Sequence, residues 1–205
     1  MNEFDLKASE WDFNPMHIAR SEAVVKHILK KIPVQSWMTA LEFGAGTGIT
    51  GFLLKDHLKE ITMIDSSSEM IRIINEKIKA KGARNLKTLW FDLEKNDFTG
   101  EKFNLVISQM VLHHVHDIEN IIRKFRSLLY TGGYLAIADL YPEDGSFHGS
   151  GFEGHKGFDV KELSQLIGKL GFKNIDHEKC FAIDKKISDT ETKIFDVFLL
   201  TAEGD

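Results

Sequence analysis

The 205 residues are 42% apolar and 28% charged, with a net charge of −5. That is enough chain for an unstapled core, and the balance excludes a disordered protein. No basic stripe is present, which argues against a nucleic-acid partner, and the single cysteine, Cys180, excludes an internal disulfide framework.

The opening "MNEFDLKASEWDF" is acidic and mixed, so it does not read as a secretory signal, and no apolar run nears the roughly 18 residues of a membrane helix. A soluble, cytoplasmic protein without a membrane partner is expected, as a monomer or homodimer. The first stretch, to about Met16, is polar with scattered Phe4, Trp11 and Phe13. Ile18, Val25, Ile28, Leu29 and Ile32 then recur at helical spacing until Pro33. "TALEF" reads as a buried strand, "ITGFLLKD" as a helix and "EITMID" as a second strand. Ser67 or Ser68 caps a helix with the stripe Met70, Ile71, Ile74, Ile78. "NLKTLWFD" and "FNLVIS" are the third and fourth strands. Asp117 caps a helix carrying Ile118, Ile121, Ile122, Phe125, Leu128 and Leu129, and "TGG" turns the chain into a fifth strand, "YLAIADL". Asp159 starts a last helix, ended by Gly171. "FKNIDHEKCFAI" and "KIFDVFLLTA" pair as an antiparallel hairpin. Alternating strands and helices predict an α/β, Rossmann-like sheet with helices on both faces. Ligands of such sheets sit beyond the carboxyl ends of the strands, where the strand order reverses.

"ALEFGAGTGITG" lies at that place. From Gly46 it matches the G-x-G-x-x-G dinucleotide fingerprint; from Glu42 it reads E-x-G-x-G-x-G. Alternating glycines and a following helix N-terminus suit a pyrophosphate or a carboxylate. Glu42 chooses between them, because its charge repels a pyrophosphate and attracts an ammonium. Asp65 ends the second strand, 21 residues after Gly44, where an acid accepts from ribose hydroxyls. Asp92 ends the third strand, placed to accept from an adenine amine. Amino acid, ribose and adenine together describe S-adenosylmethionine (SAM).

The pieces "LEFGAGTG", "MIDSSSEM", "FDLEKNDF", "FNLVISQMVLHHVHD" and "LLYTGGYLAIADL" resemble the class I SAM-dependent methyltransferases. "VLHHVHD" is most similar to the ubiquinone/menaquinone-biosynthesis type. The resemblance implies seven strands, mostly parallel, with the last antiparallel. It implies that Glu42 and the backbone of Gly44, Gly46 and Gly48 hold the methionyl end, that Asp65 takes the ribose with Ser66 beside it, and that Met70 packs on adenine. It further implies that Asp92 and the Leu93 N–H meet the adenine, and that Ser108 and Gln109 line the sulfonium end. Core packing explains Met70 as well as adenine contact does, and it is the better reading of Trp11, which otherwise lies over the cofactor from a lid. Residues 1–35 are expected to form that helical cap and residues 36–205 the methyltransferase domain.

His113, His114 and His116 are not expected to hold a metal: neighbouring side chains on a strand diverge, and no zinc spacing is present. The long glycine-rich loop "YPEDGSFHGSGFEGHKGFD" is expected over the transfer site. It offers Asp144, His148 and His155 as base, substrate contact or metal ligand, with His148 and His155 the catalytic candidates. Trp90, Phe91, Phe147, Phe152 and Phe158 are aromatic material for a flat or apolar acceptor. Methyl transfer from a sulfonium is an in-line displacement that needs alignment above all. The resemblance implies a small-molecule methyl acceptor. A dinucleotide oxidoreductase, a non-catalytic SAM-binding module and a protein methyltransferase are the competing readings.

Overall fold

Seven strands form one sheet in the order β3-β2-β1-β4-β5-β7-β6 in the structure, a computed structural model that describes residues 5–6 and 8–205. Phe4, expected in the cap, lies outside the described residues. The strands are β1 (Thr39–Phe43), β2 (Glu60–Asp65), β3 (Leu86–Trp90), β4 (Phe103–Gln109), β5 (Leu129–Leu140), β6 (Phe172–Lys186) and β7 (Thr192–Gly204). The first five pair in parallel; β7 lies antiparallel between β5 and β6.

The helices are α1 (Pro15–Lys31), α2 (Ile49–Leu54), α3 (Ser68–Lys81), α4 (Ile118–Leu128) and α5 (Val160–Lys169). Their starts are written locally. Asn14, Ser67, Asp117 and Asp159 each accept from a first-turn N–H, and Pro15 needs no donor at the first position of α1. The strands divide the core by alternation. Ala40, Met63, Leu105, Ala136 and Leu199 pack under α1, α2 and α3, whereas Leu41, Ile64, Val106, Ile137 and Leu200 pack under α4 and α5. Ile18 is the exception to the expected α1 stripe, at 39% exposed.

Two local expectations change. The "TGG" run is not a turn before the strand but a bulge inside β5. Leu129 pairs with Phe103 and Tyr134 with Leu105, so the extra residues, with Gly132 at φ 74°, bow out of the ladder. Two 3₁₀ segments, Ala8–Phe13 and Leu112–His114, stand where polar sequence and strand-end loop were expected.

Candidate cofactor and acceptor site

β1 and β4 are neighbours, although two strands separate them in sequence, so the order reverses between them. The glycine loop leaves β1 at that point. Gly44 (φ 65°), Gly46 (φ 55°) and Gly48 (φ 79°) are all left-handed, and Gly48 leads directly into α2. A Cβ on Gly44 would stand 2.5 Å from Val111 Cγ2, so the loop and the segment after β4 pack with no room for a side chain.

Glu42 lies beneath this loop, 3% exposed, with Oε2 lacking any hydrogen-bond partner among the described residues. Burial pushes its carboxyl up to about 8, and the Thr50 hydroxyl and Gly51 N–H only partly oppose that. The same hydroxyl lies 3.1 Å from Gln109 Oε1, so one proton serves either acceptor, and Gln109 Nε2 donates to Ser21 Oγ (2.7 Å), tying α2, β4 and α1 together. A buried acid with an orphan oxygen fits a ligand cation such as an ammonium.

Asp65 holds both sides of the next strand end. Oδ2 accepts from the Gly46 N–H and Oδ1 from the Ser67 N–H, each at 2.8 Å. Burial raises its carboxyl and those amides pull it back. A carboxylate has about four lone-pair sites, so ribose hydroxyls can still be accommodated. Ser66 is exposed, and its carbonyl accepts from Trp90 Nε1. Met70 is buried. Asp92 is partly buried, but its bonds to Lys95 and the Glu94 and Lys95 amides keep its carboxyl below the usual range. Leu93 is buried behind it, its carbonyl accepting from Lys124. Ser108 is buried with Oγ unpartnered.

The N-terminal segment closes over this edge. Asp12 accepts from the Thr47 hydroxyl (2.5 Å) and Lys77 (2.7 Å), and Asp5 accepts from the Ser67 hydroxyl (2.6 Å). Trp11 stacks on His17, its Nε1 4.0 Å from where a Gly46 Cβ would stand. Trp11 therefore lies by the glycine loop. The Asp12 contact joins residues distant in sequence, and no local pattern signals it.

Past β4, the histidines correct an expectation. His113 and His114 do not diverge: their rings are 4.2 Å apart, and His148 lies 5.0 Å from the first and 5.1 Å from the second. The segment is a 3₁₀ turn rather than strand, so adjacent side chains are not on opposite faces. Phe147 and Phe152 wall the cluster, and Phe152 stacks on His148 at 4.0 Å. His113 is bonded through Nδ1 to the fully buried Asp139 (2.7 Å). Asp139 is next to last in "YLAIADL", an acid near the carboxyl end of an otherwise apolar strand, which is its signal in the sequence.

His155 takes a different place. It donates Nε2–H to the Val115 carbonyl (3.0 Å), its own amide donates to the His113 carbonyl, and it packs on Phe158. These bonds fit a strut that holds the loop to the turn. Asp144 is paired with Lys193 (2.5 Å) and Ser146, which hold it far below the usual carboxylate range, as an anchor and not a base. Trp90 is exposed beside Ser66, and Phe91 packs on Phe98. Arg20, also unforeseen, is buried in α1 with Nε lacking a partner; burial lowers it only to about 10, so it stays charged.

A family model described as a methyltransferase domain matches residues 16–177. The chain therefore belongs to that family, and its domain is of the class I, SAM-dependent kind. It is similar to an uncharacterized methyltransferase of Schizosaccharomyces pombe, 28% identical over 156 residues, 68% of this chain and 55% of the relative. It thus spans about half the length of that relative, and 4% of a polyketide synthase-nonribosomal peptide synthetase of Aspergillus clavatus that it also matches at 30% identity over 68% of the chain. In fold it is similar to a putative Haloferax volcanii methyltransferase solved with the Trm112 activator, at TM-score 0.77 and 19% identity, covering 100% of this chain and 98% of the other. The N-methyltransferase NodS of Bradyrhizobium japonicum, solved with S-adenosyl-L-homocysteine, aligns at TM-score 0.67 and 17% identity over 88% and 85% of the chains. Family membership sets aside the dinucleotide register of the glycine loop. Among the described residues no helix is long and apolar enough to cross a membrane.

Proposed function

We propose that the chain transfers the methyl group of SAM to a small-molecule acceptor. The observation that carries this is Glu42, a buried carboxyl with an orphan oxygen under a left-handed glycine loop. It takes the ammonium of the methionyl end. Asp65 and Ser66 receive the ribose, Met70, Asp92 and Leu93 the adenine, and Ser108 and Gln109 border the sulfonium. SAM brings an activated methyl, so these residues have only to bind and align it.

The acceptor sits in the chamber of His113, His114, His148, Phe147 and Phe152. Its aromatic walls favour a flat or apolar molecule. His148, the most exposed of the three imidazoles, takes a proton from the acceptor, and His155 supports the loop that carries it. Residues 1–35 act as the cap and residues 36–205 as the methyltransferase domain. Calorimetric titration with SAM, S-adenosylhomocysteine and NAD tests the cofactor, and radiolabelled SAM with a panel of phenols, amines and thiols tests the acceptor. Tight NAD binding without SAM binding refutes the proposal.

A further inference from the structure

We infer that His113, His114 and His148 form a binding site for one zinc-class divalent cation. One ring nitrogen from each lies within 4.8 Å of the other two. Tetrahedral coordination at Zn–N distances of about 2.0–2.1 Å puts such nitrogens about 3.3 Å apart, so a side-chain adjustment of roughly an ångström closes the site.

The support behind the ligands is already built. Asp139 is fully buried and bonded to His113 Nδ1 at 2.7 Å. Its carboxylate also accepts from the backbone amides of His113 (3.3 Å) and Leu140 (2.7 Å). A carboxylate that accepts from two amides takes the Nδ1 proton as well, which leaves the Nε2 lone pair of His113 for a metal. This carboxylate–imidazole pairing fixes tautomer and ring direction in metal sites and raises ligand basicity.

The third ligand comes from a distant loop, but that loop is tethered. Glu143 accepts from the Gly145 and Phe147 amides, and Lys185 donates to the Phe147 carbonyl and lies over the Phe147 ring. His148 is stacked on Phe152, and His155 is hydrogen-bonded to the turn that bears His113. Three imidazoles without a thiolate suit zinc, cobalt or nickel better than calcium or magnesium. With three protein ligands, the fourth position stays open to water or to an oxygen of the acceptor. The ion site shares these imidazoles with the proposed acceptor chamber: in the ion-free chain His148 is the base, and in the ion-bound chain its lone pair is held by the metal; the test of the ion involves neither SAM nor turnover.

The test is a Co²⁺ titration of the full chain without a polyhistidine tag, read by visible absorption, then competition with Zn²⁺. One equivalent is expected to give intense tetrahedral bands that Zn²⁺ abolishes. His148→Ala is expected to weaken Co²⁺ binding at least 100-fold and to lose those bands. Asp139→Asn is expected to keep them with 10–100-fold weaker binding, and exposed His57→Ala to change nothing. His114→Ala, nearer the surface than His113, replaces Asp139→Asn if that buried variant does not fold. Absence of tetrahedral bands in the wild type, or the same bands and affinity in His148→Ala, overturns the inference. SAM calorimetry on the same samples keeps its failure distinct from failure of the cofactor reading.

Discussion

Replacing Glu42 by Gln tests the cofactor reading through a proton. The Glu42 carboxyl moves from its ordinary 4.5 to about 8 because the group is buried and its charge is poorly solvated. At pH 7 it is about 0.9 protonated in the cofactor-free protein. An ammonium docked against it favours the ionised form, so SAM binding at pH 7 is expected to release close to one proton. The binding constant then climbs by up to about tenfold per pH unit as pH approaches about 8, and levels off above it. The same group tilts stability. Its folded value lies above its unfolded one, so its contribution is complete below about pH 4.5 and is lost as pH rises through about 8. Stability without cofactor is therefore expected to fall by roughly 2–3 kcal/mol from pH 5 to 7. Glu42→Gln does not titrate. It is expected to release no proton, to flatten that slope, and to bind SAM about 10–100-fold more weakly. Calorimetry in two buffers of different ionisation enthalpy counts the proton, and urea unfolding at pH 5 and 7 gives the slope. Zero proton release by the wild type, or equal release by wild type and variant, refutes the reasoning.

Gly44→Ala places a Cβ 2.5 Å from Val111 at φ 65°, and the strain and clash are expected to cost about 2–4 kcal/mol, read as a lower urea midpoint. Asp65→Ala removes the acceptor for Gly46 and Ser67 and for ribose; SAM affinity is expected to fall by about 1–3 kcal/mol in a calorimetric titration. Asp12→Ala cuts the cap from Thr47 and Lys77, and stopped-flow displacement is expected to show SAM leaving about fivefold faster, the scale of a partly exposed ion pair. His148→Ala is expected to lower kcat by about 100-fold once an acceptor is found, with SAM affinity within about twofold of wild type.

The sheet and its helices were legible because their causes are local. Ser67, Asp117 and Asp159 before apolar stripes mark where helices begin, and strand alternation sorts Leu41 from Ala40. Glu42 stood out in the sequence by its charge at the mouth of the glycine loop. The His113–His114–His148 cluster was not, since it depends on a 3₁₀ turn that no periodicity announces and on a loop more than thirty residues away. Nor was the "TGG" bulge, because glycine pairs serve turns and bulges alike. Arg20 was not singled out in the sequence, because burial of an arginine depends on how α1 packs and not on any local pattern.

The placing of β7 bears on how the chain folds. It is the last strand in sequence, yet it fills an interior slot, with β5 on one side and β6 on the other. Until residues 192–204 are available, β6 has no sheet partner and β5 presents an open edge. During synthesis, then, the parallel half with its glycine loop can assemble first, while Asp139 on β5 waits beside an unfilled edge. Completion of the sheet is a late, long-range event, and the nascent chain is most prone to stray strand pairing just before it.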